Sequence, residues 1–69
     1  MRLALQANNY ELAIASLEQI IELSRQRGDI GAEGRHLGNL ALTYYRLGNR
    51  EHALHYFEQA LDCALPAGA

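Results

Sequence analysis

Apolar residues in the first third of the chain fall at Tyr10, Ala13, Ile14, Leu17, Ile20 and Ile21, in steps of 3, 1, 3, 3 and 1. Near the other end they fall at Ala53, Leu54, Phe57, Ala60, Leu61 and Ala64, in steps of 1, 3, 3, 1 and 3. Both series trace one stripe of an amphipathic helix, because positions three and four apart share a helix face. The two segments are also alike residue by residue. "ANNYELAIASLEQII" (Ala7–Ile21) and "LGNREHALHYFEQAL" (Leu47–Leu61) align with a period of 40, which matches Ala13 with Ala53, Leu17 with Phe57, Glu18 with Glu58 and Gln19 with Gln59. A third helical pattern lies between them, through Ile30, Leu37, Leu40, Ala41, Tyr44 and Leu47.

The breaks between these patterns are written in residues that end and start helices. Gly28 and Gly48 can take the left-handed conformation that closes a helix. Asp29 and Asn49 follow them as candidate N-caps, whose side chains accept hydrogen bonds from the first free backbone N–H groups. The equivalent turn in the first copy falls on Asn8-Asn9, Asn being the next-best residue for a left-handed cap. Gly31 and Gly34 weaken the start of the middle helix by about 1 kcal/mol each relative to Ala, or let a neighbouring helix come close. The pattern predicts a helix tail over 1–7 and helices over 9–27, 30–47 and 49–65, with Pro66 ending the order. Two-residue joints force successive helices into antiparallel hairpins. No strand pattern is present, so the predicted class is all-α.

Composition adds bounds rather than detail. Sixty-nine residues make one small domain, read as a single helical module over 1–69. A chain this short buries only about 60% of its unfolded surface, so it needs close packing or a partner. No apolar run is long enough to span a membrane, and "MRLALQA" lacks the sustained apolar stretch of a signal peptide. The net charge is −2, and the six Lys/Arg, all Arg, are scattered along the chain, which argues against nucleic acid as a partner. The single Cys63 cannot form an internal disulfide and suits a reducing compartment, the cytoplasm by default.

A helix–turn–helix unit repeating every 40 residues is the mark of a solenoid. The stretch "EGRHLGNLALTYYRLGNREHALHYFEQALDCALP" resembles a tetratricopeptide repeat (TPR). The family's small residue in the first helix falls on Ala41, its aromatic on Tyr44 and its turn glycine on Gly48. The alanine of the second helix falls on Ala53, the next aromatic on Phe57 and the second small residue on Ala60. Leu37 stands where the family favours a bulky aromatic, and Pro66 comes one place late. The likeness runs from Ala7 to Pro66. It is similar to the 40-residue variant of spindle-orientation adaptors, kinesin light chains and bacterial signalling arrays. The resemblance implies antiparallel hairpins of a TPR-type solenoid, about one and a half repeats: a partial repeat over 1–27, a complete one over 30–65 and a tail over 66–69. Stacked repeats bury a core that one hairpin cannot, so an isolated piece leaves unfinished end faces. Leu3, Leu5, Ile14 and Ile21 at one end, and Leu54, Leu61 and Leu65 at the other, are expected to be at risk of exposure, which favours a homo-oligomer, either a dimer or a helix-swapped form.

The resemblance also implies a protein-interaction scaffold that binds a protein or peptide, without catalysis or cofactor. The first helix of a repeat lines the family's groove, which places Arg35, Asn39, Leu42, Tyr45 and Arg46 as candidate peptide contacts. Arg35 and Asn39 are four apart on one helix face. Arg holds a carboxylate bidentately, and an Asn amide can pair with a peptide's N–H and C=O. In the adaptor and light-chain subgroups the matching arginine and asparagine contact peptides. Against this stands a bland alternative, in which Arg35 pairs with Glu33 or Asp29 and Asn39 is only solvated. His52 and His55, three apart, have metal-binding spacing but no evident third ligand, and His36 has no evident partner. Cys63 near a helix C-terminus is not placed to be reactive. "RGD" at Arg27–Asp29 reads as a helix joint. No nucleophile–base set or phosphate-binding glycine loop is present, so no enzyme is predicted. The alternatives to a peptide groove are a structural or homo-oligomerising segment of a longer array and a regulatory sensor module of a larger signalling protein.

Overall fold

A computed structural model describes the backbone over residues 2–65 and side chains over 9–65. Three helices follow one another: α1 (Arg2–Arg27), α2 (Ile30–Arg46) and α3 (Arg50–Ala64). There is no strand among the described residues. The 66–69 tail and the Leu3 and Leu5 side chains lie outside what is described.

The two joints are chemically the same device, repeated 20 residues apart. Gly28 and Gly48 have φ of 72° and 88°, in the left-handed region that a side chain would strain. The Gly28 N–H donates to the Arg25 carbonyl (3.1 Å), and the Asp29 N–H to the Ser24 carbonyl (2.9 Å). At the second joint Gly48 donates to Tyr45 (3.0 Å) and Asn49 to Tyr44 (2.9 Å). This paired closure satisfies carbonyls that the helix end would otherwise orphan. The residue that completes each closure also starts the next helix: Asp29 Oδ1 accepts from the Ala32 N–H at 3.1 Å, and Asn49 Oδ1 from the His52 N–H at 3.3 Å. Asp29→Ala and Asn49→Ala should each lower stability by about 1 kcal/mol, read as a shift in the urea midpoint with the slope unchanged.

The Asn8-Asn9 turn does not form. Helix α1 runs unbroken through it, and among the described residues none other than glycine has a positive φ. Asn enters the left-handed region less readily than Gly, whereas Asn within a helix costs less than ~1 kcal/mol relative to Ala. With no glycine at the junction, continuation is the lower-energy path.

Backbone contacts join α1 to α2 and α2 to α3, so α2 is the central rod. Both hairpins are antiparallel: Arg25 near the end of α1 meets Glu33 near the start of α2, and Gly34 lies against Cys63 near the end of α3. The core is small. Leu37 and Leu40 of α2 (each 1% exposed) and Ile21 of α1 (4%) form its centre, with Ile14 and Leu17 beside them from α1 and Tyr56, Ala60 and Cys63 from α3. Ala41 and Ala53 are buried, as the notches that let helices nest. Gly34 serves the same end: a Cβ there would sit 2.9 Å from Cys63 Cβ.

The α3 stripe divides in two: Leu54, Leu61 and Leu65 are exposed as expected of an unfinished end face, and Phe57, assigned to the stripe, turns outward with them. The face turned to α2 carries Ala53, Tyr56, Ala60 and Cys63, while Leu54 (61% exposed), Phe57 (37%) and Leu61 (60%) look outward. Ile30 and Leu47, assigned to the middle stripe, are exposed as well. At the other end Ile21 is buried and Ile14 half-buried, so neither is at risk there. The molecule measures 48 × 23 × 12 Å. Its thinnest dimension is about the diameter of one helix, so the rods form a single layer.

Candidate partner-binding surface

Five exposed side chains of α2 carry the sequence-based site, and the fold distributes them over three recesses. Asn39, Leu42 and Arg46 line a groove of about 270 Å³ between α2 and α1, together with Tyr10 and Thr43. Spacings of three and four put Asn39, Leu42 and Arg46 in one row. Arg35 lies in the same row but borders another recess, an apolar valley of about 450 Å³ between the start of α2 and the end of α3. Tyr45 sits a quarter-turn away and borders a third recess of about 380 Å³ with Arg50, Leu54 and Phe57.

Neither of the two arginines is tied down. The only ion pair among the described residues is Arg25 Nε to Glu33 Oε2 at 2.8 Å. That pair, with an Arg25–Gln59 hydrogen bond at 3.2 Å, bridges all three helices, although an exposed pair is worth at most about 1 kcal/mol. Its hydrogen bond to Glu33 raises the Arg25 pKa. Glu33 is thus engaged by Arg25, and Asp29 caps α2, which leaves Arg35 free of the local pairing that would have made it structural. The backbone carbonyl of Asn39 accepts from the Thr43 hydroxyl at 2.9 Å, while no described hydrogen bond uses the Asn39 amide.

A second polar group had less signal in the sequence. Tyr44 stacks on Tyr56, with ring centroids 5.5 Å apart, and on His52 at 5.0 Å. His52 Nδ1 also lies 3.0 Å from Asn49 Oδ1. His52 is therefore part of the second joint. His52, His55 and Glu51 line a small recess, yet among the described residues no group of three or more His, Cys, Asp or Glu could hold a metal. His36 Nδ1 is buried without a hydrogen-bond partner. Burial pushes the Tyr44 hydroxyl pKa up, with Tyr56 and Glu18 adding to it. Burial also raises the Cys63 pKa and the Glu33 carboxylate reinforces this, so the thiol holds less thiolate and is a poor nucleophile.

The comparison with known families decides the class. The family described as Tetratricopeptide repeat matches residues 2–65, nearly the whole chain. The chain belongs to the tetratricopeptide-repeat family. The match covers all three helices, and the 40-residue likeness joins α1 to α3. TPR modules mediate protein–protein interaction. No curated protein and no solved structure matches the chain. Among the described residues, no helix of this TPR chain is long and apolar enough to cross a membrane.

Proposed function

We propose that this TPR module captures an extended, acidic peptide along α2 and performs no chemistry on it. The observation that carries the reading is the row of unpaired polar side chains, Arg35, Asn39 and Arg46, on one face of a rigid helix around the apolar Leu42. Asn39 would hold the peptide backbone by its amide, and the two arginines would take carboxylates at either side. Tyr45 would extend the contact toward α3. Helix α2 contains two arginines against one acidic residue, and that acid, Glu33, is already held by Arg25. The face is therefore basic on a chain whose net charge is −2. One helix makes a shallow groove, so affinity should be modest and salt-sensitive.

Panning a displayed random-peptide library against the purified chain tests this. Enriched sequences should carry Asp or Glu, and the Arg35→Ala/Asn39→Ala/Arg46→Ala variant should weaken their binding at least about tenfold with its helical circular dichroism unchanged. Binding unaffected by that variant would refute the groove.

A second reading rests on a different observation, the outward Leu54, Phe57 and Leu61 of α3: the chain also self-associates. The lone Cys63 fits a module working in the cytoplasm.

A further inference from the structure

The two arginines of α2 set a distance. Arg35 and Arg46 stand eleven positions apart at the two ends of one row, with Asn39 and Leu42 between them. At about 1.5 Å of rise per residue, their Cα atoms are about 16 Å apart along the helix. Both side chains are exposed, and neither is paired with a carboxylate side chain of its own chain. The described residues hold one ion pair, Arg25 with Glu33, and the sequence over 1–8 and 66–69 contains no Asp or Glu.

The middle of the row is of another kind. Asn39 and Leu42 bring no charge. The Asn39 amide takes part in no described hydrogen bond, and Leu42 is 45% exposed. The middle therefore offers an amide to a peptide backbone and an apolar surface to an apolar side chain. Tyr10 of α1 and Thr43 line the groove beside them. A carboxylate set against Leu42 would lose water without gaining a guanidinium at its own level, which is unfavourable. The arginines lie along the helix axis rather than across it, so a ligand that meets both must follow α2. An extended chain advances at most about 3.3–3.6 Å per residue, so about five residues cover the distance. The length of the arginine side chain widens this to about four to six. Adjacent acids reach one arginine at a time, and acids about ten apart overshoot the row.

We propose that this face selects a peptide segment with two acidic residues about five positions apart and an apolar residue between them. Arg35 and Arg46 each hold one carboxylate through the two-pronged guanidinium. Asn39 pairs with the peptide backbone, and the apolar side chain lies on Leu42. The proposal rests on the peptide-capture reading above and gives its ligand a spacing.

Fluorescence anisotropy with labelled synthetic peptides at low salt tests it, since charge contacts are least screened there. Each peptide carries two Asp and one Leu in an alanine–serine background. The Asp pair is adjacent, about five apart or about ten apart, and a one-Asp peptide is the control. The five-apart peptide with Leu between its acids should bind at least about tenfold tighter than either of the other two-Asp peptides. Arg46→Ala, at an exposed position, should bring it down to the level of the one-Asp peptide with unchanged helical circular dichroism. Leu42→Ala should weaken binding of the peptide with central Leu and leave its alanine-substituted version unchanged. Equal affinity at all spacings, or tightest binding by the adjacent pair, would overturn the spacing and leave peptide capture standing. A spacing preference that survives Arg46→Ala would overturn the role of Arg46. No binding of any acidic peptide at about 1 mM would overturn peptide capture and the spacing together.

Discussion

Leu40→Ala is expected to lower the thermal midpoint of unfolding by roughly 10–30 °C. Leu40 is 1% exposed at the centre of the core, between Ile21 of α1 and the α3 residues that close the hairpin. Removing a fully buried leucine costs about 2–5 kcal/mol, part lost transfer energy and part cavity. A domain of this size has only about 3–10 kcal/mol of total stability, so the single change removes a large share of it. Circular dichroism melts at one fixed protein concentration measure the effect, because self-association would make the midpoint concentration-dependent. Leu12→Ala, at an exposed α1 position, should shift the midpoint by no more than a few degrees.

Two glycines on α2 should respond to the same substitution with opposite signs. Glycine inside a helix costs about 1 kcal/mol relative to alanine, so Gly→Ala ordinarily stabilises. At Gly38 an added Cβ meets nothing within 4 Å, and Gly38→Ala should raise stability by about 0.5–1 kcal/mol. At Gly34 the same Cβ would lie 2.9 Å from Cys63 Cβ and 3.7 Å from the Ala60 carbonyl oxygen. Those atoms belong to the stem of a side chain and to backbone, which cannot swing aside. Relief requires α2 and α3 to separate, an overpacking cost of about 1–3 kcal/mol that outweighs the propensity gain. Gly34→Ala should therefore destabilise, in chemical denaturation with Gly38→Ala alongside. Equal and positive shifts for both would show that the two helices do not approach as closely as the structure has them.

How much of this was legible in the sequence depends on whether the signal is local. Gly28-Asp29 and Gly48-Asn49 could be read directly, because left-handed closure and N-capping are settled within a few residues. Ala41 and Ala53 could be read from spacing, because a small residue at fixed offset on a helix face implies a close neighbour. The division of the α3 stripe could be read only in part: exposure of Leu54, Leu61 and Leu65 followed from an unfinished end face, but the inward Tyr56 and outward Phe57 did not. Leu54, Phe57 and Leu61 are as apolar as Tyr56, Ala60 and Cys63, and periodicity alone cannot tell the face turned to its own hairpin partner from the face turned to a neighbour. Asn8-Asn9 misled because the 40-residue match implied a turn that only a glycine would have enforced.

The row of exposed α2 side chains was legible from spacing, but its distribution over separate recesses was not. Arg35, Asn39, Leu42 and Arg46 follow steps of 4, 3 and 4 and share a row, as the spacing states. That Arg35 borders the α3 valley, and Tyr45 another recess, depends on where α3 crosses α2. The Tyr44–Tyr56–His52 stack depends on the same crossing. The Arg25–Glu33 pair, which leaves Arg35 available, spans the first joint at a separation of eight residues that no helix-face rule covers.

The account turns on α2 being held between α1 and α3. Nuclear Overhauser contacts from the Leu37 and Leu40 methyl groups test that most directly. They should reach the Ile21 methyls on one side and the Tyr56 ring on the other within a single folded species. Contacts to Tyr56 with none to Ile21, or to neither, would contradict the three-rod layer and the partner surfaces built on it.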